Sequence, residues 1–231
     1  DDAIFIGRPQ SHRKTVTLLN RSPIVFAGNS YLYSWCKQFT ENVHEVPTAV
    51  DLSKFKEKAK EPKHKFTVGW QGTSSSFEYL KNIEGELKKF FLTHSNCELH
   101  VSSDRYPKEL TELHEYIDFK KWNKEDEVSH IQEFDVGIMP IEEDEYSLGK
   151  CAYKMLLYLS CGVPACVTSW GMNKEILKKG KVGIGVEGEN KWNETLDYFY
   201  KNRFNLDEIF PDCRKVVKDF YSVESIVRKI D

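Results

Sequence analysis

The 231-residue sequence has no apolar run approaching the roughly 20 residues needed to cross a bilayer, and no segment typical of a secretory signal peptide. It also has no excess of positive charge, because 33 lysines and arginines stand against 36 acidic residues. Hydrophobic residues make up 40% of the chain, which excludes collagen-like and disordered classes. We therefore expect a globular protein that has no general electrostatic attraction to nucleic acid.

Patterns typical of metal sites and nucleophilic enzymes are absent as well. The histidines show no His-x-x-x-His pair, and neither a Gly-x-Ser-x-Gly elbow nor a Gly-Lys-Ser/Thr phosphate loop occurs. The six cysteines fit neither zinc nor disulfide spacing, and Cys161 and Cys166 are predicted to be small buried side chains. The sequence thus predicts no metal site, no hydrolase triad and a reducing, cytoplasmic compartment.

Strand-like and helix-like segments alternate along the chain. A helix over Tyr31–Phe39, capped by Asn29 or Ser30, lies between short strands at 24–27 and 43–46. Six further strands are predicted at 66–70, 97–101, 117–120, 136–139, 163–168 and 183–186. Helices are predicted at 79–91, 110–116, 125–132, 151–159, 173–178, 192–202, 206–210 and 214–230. This order predicts an α/β fold with a Rossmann-like parallel sheet and helices on both faces.

The chain divides into three predicted parts. Residues 1–52 form a strand-helix-strand piece that lacks the rest of its sheet, and the lysine-rich stretch 53–65 is a linker. Residues 66–231 form the Rossmann-like domain. Since the sequence does not begin with methionine, we expect a piece of something longer.

Ligands of parallel sheets bind at the carboxyl ends of the strands, where two segments are of interest. The Gly72–Ser76 loop offers hydroxyls and backbone N–H groups suited to a phosphate, and equally it could be a plain serine helix cap. Lys150 and Lys154 are predicted to lie one turn apart near a helix start, where their repulsion favours a bound anion such as a diphosphate. Solvated lysines, or neutralisation by the preceding acidic run 142–145, remain alternatives.

Several motifs in their order resemble a family-four glycosyltransferase. They are Val46-Pro-Thr-Ala-Val-Asp51, Val68-Gly-Trp-Gln-Gly-Thr73, Phe134-Asp-Val-Gly-Ile-Met-Pro140, Lys150-Cys-Ala-Tyr-Lys154 and Tyr158-Leu-Ser-Cys-Gly-Val-Pro164. The resemblance implies a GT-B enzyme of two Rossmann-like domains that retains anomeric configuration and needs no metal. The chain would hold the donor domain and the end of the acceptor domain, and its last helix would cross back onto the missing part.

The resemblance also implies roles for single residues. Those expected at the donor diphosphate are Gly72, Thr73, Ser74, Lys150, Ala152 and Lys154, with Ala152 acting through its backbone N–H. Glu175 matches a glutamate in the loop after the Gly-x-Pro strand. Two glutamates common in the family align with Gly149 and Leu157, neither of which is acidic, so the donor contacts here differ or the site is weakened.

The function expected from this resemblance is transfer of a sugar from a UDP- or GDP-sugar substrate to a glycan or lipid-linked acceptor, without a cofactor. The catalytic side chain is expected in the missing domain, which would also provide any membrane contact at the inner face. Two alternatives stay open: a non-catalytic nucleotide-sugar or glycan-binding module, and a sugar-nucleotide epimerase on the same fold.

Overall fold

The computed structural model describes residues 2–7, 9–57 and 65–230. These residues form a small two-stranded sheet and a larger six-stranded one, both parallel. The strands are β1 Val25–Ala27, β2 Val43–Glu45, β3 Phe66–Gln71, β4 Cys97–Ser103, β5 Ile117–Lys121, β6 Val136–Met139, β7 Ala165–Thr168 and β8 Gly183–Val186.

Helices precede, connect and follow these strands. They are α1 Pro9–Leu19, α2 Ser30–Cys36, α3 Phe77–Asn82, α4 Glu84–Thr93, α5 Glu127–Gln132, α6 Glu145–Leu148, α7 Tyr153–Ser160, α8 Gly171–Leu177, α9 Trp192–Lys201, α10 Leu206–Ile209, α11 Cys213–Val216 and α12 Val223–Ile230. Short 3-10 segments precede α3 and α9, and a π-helical segment, Val217–Tyr221, follows α11.

The large sheet has the strand order β5-β4-β3-β6-β7-β8. The chain therefore builds outward from β3 to β5, returns to the middle, and builds outward again from β6 to β8. This reversal creates a topological switch point between the carboxyl ends of β3 and β6. Every residue of β3, β6 and β7 is buried, so both faces of the sheet are covered, and the predicted fold class is confirmed.

Three helix predictions are wrong in detail. Residues 110–116 form successive turns, because the N–H groups of Leu113 and Tyr116 bond to carbonyls three residues back. The helix predicted at 79–91 is interrupted at Ile83, between α3 and α4. The helix predicted at 214–230 breaks at Ser222, which is extended and pairs with Val50. A tertiary contact, which local periodicity does not encode, decides this last break.

Two apolar clusters accompany the two sheets. The larger follows β3–β8, and the smaller joins the amino-terminal segment, α1, α2 and the small sheet. Cys151, far along the chain, belongs to the smaller cluster, so the loop before α7 lies between the two units. All six cysteines are buried and free, as predicted for Cys161 and Cys166. The boundaries 1–52, 53–65 and 66–231 stay predictions, and residues 58–64 of the linker lie outside the described residues.

Candidate functional site

A crevice opens at the switch point because β3 and β6 pair over only two residues each. Beyond that pairing, the Gln71 N–H donates to the Tyr158 hydroxyl at 3.0 Å, and this hydroxyl donates to the Ile138 carbonyl at 3.4 Å. The phenol of a fully buried tyrosine thus bridges the two diverging strands. Gly137 makes room for it, since a Cβ there would overlap the Tyr158 ring.

Lys154, in the first turn of α7, runs across this crevice. Its aliphatic stem covers Gly72, where a Cβ would collide with the Lys154 Cε atom and the Trp70 ring. Its ammonium lies 5.8 Å from the centre of the Trp70 ring. Glycine at position 72 is therefore needed for close approach of the lysine, which is a stricter requirement than a flexible loop would impose.

The electrostatics of Lys154 are unusual for a lysine. Burial lowers its pKa to about 8, the Lys150 charge lowers it further, and Asp2 opposes both effects. Among the described residues, no carboxylate lies within 4.0 Å of the ammonium of either lysine. The protein thus holds two neighbouring positive charges and strips water from one of them without supplying an ion pair.

The expected helical spacing of the two lysines is wrong. The helix begins at Tyr153, and Ala152 before it is left-handed, with φ 54° and ψ 29°. Lys150 therefore lies in the loop, and the two lysines do not share a helical face. The left-handed conformation at Ala152 fits the glycine expected there from the resemblance, since glycine adopts this conformation without steric penalty.

Two tyrosines hold Lys150 in place. Its ammonium lies 5.5 Å from the centre of the Tyr79 ring and 5.0 Å from that of Tyr146. Burial raises the pKa of Tyr79 to about 12, with nearby carboxylates adding to the effect, and burial also raises the pKa of Tyr146. Both phenols stay neutral, so they orient the lysine through their ring faces without neutralising it.

The loop after β3 is stabilised by an acid from the neighbouring strand. Ser74 donates to Asp104 through its backbone N–H at 2.6 Å and through its hydroxyl at 2.8 Å. These bonds lower the pKa of Asp104. The Gly72 N–H bonds to a β4 carbonyl, and the Thr73 and Ser75 hydroxyls lie 2.8 Å apart. The amides of Gly72 and Ser74 are thus already engaged, and the serine cap that we considered is replaced by the Asp104 carboxylate.

The two positions where related enzymes carry glutamates are both packed inside the protein. A Cβ at Gly149 would overlap Ala3, whose Cα would lie 2.9 Å away, so the approach of the amino-terminal segment requires glycine here. Leu157 is 2% exposed and belongs to the main core. Glu175 lies exposed on α8, where it pairs with Lys178 at 2.7 Å and forms no hydrogen bond or ion pair with either crevice lysine.

Asn29 links the small sheet to the loop that carries Lys150. Its side-chain oxygen accepts from the Leu32 N–H at 2.9 Å, which confirms the predicted helix cap. Its side-chain nitrogen donates to the carbonyls of Leu148 at 3.0 Å and Lys150 at 3.3 Å. Sequence reasoning identified the cap and missed the second role, because those partners lie about 120 residues away.

A cavity of about 230 Å³ lies beside the lysines, at the carboxyl ends of β6, β7 and β8. Its walls include Tyr79, Pro140, Thr168 and Trp192. Tyr79 is shared, because its ring also faces Lys150. The crevice and the cavity therefore form adjoining spaces, one cationic and the other lined in part by aromatic rings.

No protein-family model and no curated protein sequence matches this chain. Solved structures do. TarM from S. aureus, in complex with fondaparinux, alpha-GlcNAc-glycerol and UDP, is similar with a TM-score of 0.75 and 16% identity over 96% of this chain. HepE from Anabaena, in complex with UDP-glucose, is similar with a TM-score of 0.78 and 13% identity over 98% of this chain.

The carboxy-terminal domain of the glycosyl transferase group 1 family protein LpcC, from Francisella tularensis, is similar over a shorter stretch. Its TM-score is 0.60 with 14% identity, and the match covers 75% of this chain and 99% of that domain. The present chain spans 45% of the TarM chain and 68% of the HepE chain. These likenesses show that the chain has the fold of GT-B glycosyltransferases.

Proposed function

We propose that this chain is the donor-binding part of a glycosyltransferase, which transfers a sugar from a nucleotide-sugar to a glycan or lipid-linked acceptor. The observation that carries the proposal is the pair of uncompensated ammonium groups, Lys150 and Lys154, at the switch point of a parallel sheet. A diphosphate between them would relieve their repulsion and restore the interactions that burial removes from Lys154. The UDP and UDP-glucose held by TarM and HepE support this choice of ligand.

The remaining parts of a nucleotide-sugar have a natural arrangement around this diphosphate. The nucleoside would enter the cavity beside Tyr79 and Trp192, and the sugar would face the open side of the crevice. UDP and GDP are the candidate nucleotides. The Gly72–Ser74 turn would lie beneath the phosphates, with Thr73 supplying a hydroxyl and Ala152 a backbone N–H.

Catalysis in this proposal is electrostatic. As the bond between sugar and diphosphate breaks, negative charge grows on the leaving group, and preorganised positive charges stabilise it. The two lysines would supply that charge, which supports transfer without a metal ion at the diphosphate. Retention of anomeric configuration and membership of family four are part of the same proposal, as is a catalytic side chain in an acceptor domain beyond this chain.

One observation favours a second candidate, a non-catalytic nucleotide-sugar or glycan-binding module. Gly149 and Leu157 are both enclosed by protein, so the acidic contacts common in related enzymes have no place here. Such a module would bind the donor without turning it over. Conversion of the free donor with no acceptor present would instead identify an epimerase.

The proposed setting is glycan biosynthesis in the cytoplasm, at the inner face of a membrane where acceptors are lipid-linked. Among the described residues, no helix is both long and apolar enough to cross a bilayer. Any membrane contact is therefore assigned to the acceptor domain. Nucleic acid is not proposed as a partner, because acidic and basic residues nearly balance.

Isothermal titration calorimetry with UDP, GDP and their sugars, each with magnesium and with chelator, tests the proposal. We expect one nucleotide to bind equally well in both conditions, and Lys150→Ala and Lys154→Met each to weaken it at least tenfold. Lys201→Ala removes a lysine paired with Asp197 on α9 and is the matched control. Unchanged affinity in both crevice variants would refute the site, and binding only with magnesium would refute metal-independence.

A further inference from the structure

A fully buried histidine on β4 has no hydrogen-bond partner in the described part of the chain. His100 is 0% exposed, and neither of its ring nitrogens forms a hydrogen bond. A polar group buried in this way normally has a partner, because desolvation without compensation costs free energy. The Lys150–Lys154 crevice lies elsewhere, so the proposed donor site does not account for His100.

Two carboxylates face the Nδ1 atom of this histidine. Glu133 Oε2 lies 3.1 Å away, outside hydrogen-bond geometry, and Asp118 Oδ2 lies 3.9 Å away. The three donor atoms all lie within 4.8 Å of one another. Burial lowers the pKa of His100 to about 4, so the ring is neutral at physiological pH and its pairing with these acids is not ionic. A neutral imidazole is also the form that binds metals.

We propose that His100, Asp118 and Glu133 bind a divalent transition-metal ion, of which Zn²⁺ fits best. Zinc takes nitrogen and carboxylate oxygen at about 2.0–2.2 Å, so tetrahedral ligand atoms lie about 3.4 Å apart. The observed separations of 3.1 and 3.9 Å bracket that value. An imidazole ligand disfavours Mg²⁺ and Ca²⁺, which prefer oxygen.

An ion could reach the cluster from solvent. The side chains of Asp118 and Glu133 are 37% and 53% exposed, although His100 is enclosed. Three protein ligands leave a fourth position for water. The neighbouring His130 is already engaged, since its Nδ1 lies 3.1 Å from the Ser102 hydroxyl.

One cation in the structure competes with the proposed metal. The Lys120 ammonium lies 3.3 Å from Asp118 Oδ2 and shares that carboxylate. The charges of Glu98 and of His130, when protonated, also act on His100, in opposite directions. Binding of Zn²⁺ therefore requires Lys120 to move aside, and removal of its charge should strengthen binding.

The position of the cluster indicates a structural role. His100 lies on β4, Asp118 is its register partner on the edge strand β5, and Glu133 ends α5. A bound ion would tie the edge strand and this helix to the middle of the sheet. We expect it to raise the unfolding temperature and to leave nucleotide binding unchanged, so this inference stands or falls independently of the proposed donor site.

The test is a Zn²⁺ titration of the untagged chain in competition with a chromophoric chelator, together with thermal unfolding with and without Zn²⁺. We expect one equivalent to bind and to raise the unfolding temperature. Asp118→Asn and Glu133→Gln should each weaken binding at least tenfold, and Lys120→Met should strengthen it. Cobalt in place of zinc should give the intense visible absorption of a tetrahedral site, which a nonspecifically bound ion would not give.

Glu112→Gln is the matched control, because this exposed carboxylate pairs with Lys88 away from the cluster. Asp118→Asn and Glu133→Gln change partly exposed side chains and should leave the fold intact, which the unfolding curve without zinc will verify. The proposal is overturned if no stoichiometric Zn²⁺ binding occurs. It is also overturned if both variants bind Zn²⁺ as tightly as the unmodified chain does.

Discussion

The titration of Lys154 makes UDP binding depend on pH in a way that surface lysines would not. Its pKa of about 8 lies well below the ordinary lysine value of about 10.4. With that pKa, about nine-tenths of the side chains carry a proton at pH 7 and about one-tenth at pH 9. Only the protonated form attracts a diphosphate, so affinity should fall as pH rises through 8.

The expected size follows from those populations. UDP affinity should drop about tenfold between pH 7 and pH 9, which corresponds to about 1.4 kcal/mol. The terminal phosphate, with a pKa of about 6, is ionised across this range and does not contribute. Calorimetry in two buffers of different ionisation enthalpy at pH 8 should also show proton uptake on binding, because a bound diphosphate raises the pKa of Lys154.

The matched variant is Lys154→Arg, which keeps a positive charge at every pH in this range. It should bind UDP with little pH dependence between pH 7 and pH 9, even where geometry costs it some affinity. The reasoning is refuted if the unmodified chain binds equally well at both pH values. It is refuted equally if the arginine variant shows the same decline, because another group would then be responsible.

Three further changes test the supports of the crevice. Asn29→Ala removes a helix cap and the link to the Lys150 loop; we expect a loss of about 1 kcal/mol in unfolding free energy and a several-fold loss of UDP affinity, whereas the exposed Asn42→Ala should leave affinity unchanged. Tyr158→Phe leaves the Gln71 N–H without its acceptor and should cost about 1–3 kcal/mol in urea unfolding; an unchanged midpoint would contradict the bridging role. Gly149→Glu restores an acid found in related enzymes but overlaps Ala3, so the unfolding temperature should fall rather than donor affinity rise.

Features determined by neighbours in sequence were predictable. Apolar runs bounded by polar residues located β1, β3 and β6, and the Asn29 cap follows from a short polar side chain before an amphipathic stretch. The alternation of strands and helices then determined the parallel sheet. Its switch point indicated where Gly72, Lys150 and Lys154 would meet.

Features that depend on distant segments were not predictable. The left-handed Ala152 removes Lys150 from the helix, and no residue type at that position signals it. The Asp104 carboxylate that caps the Ser74 turn comes from the next strand. His100, Asp118 and Glu133 come from two strands and the end of a helix, so their spacing along the chain resembles no metal motif, and only the fold brings them together.

The central claim is that a nucleotide diphosphate binds between Lys150 and Lys154, and a crystal structure of this chain grown with UDP tests it most directly. We predict that both ammonium groups lie within hydrogen-bond distance of the diphosphate oxygens. We also predict that the base enters the cavity beside Tyr79. A nucleotide whose phosphates lie elsewhere, with both lysines still uncontacted, would contradict the account.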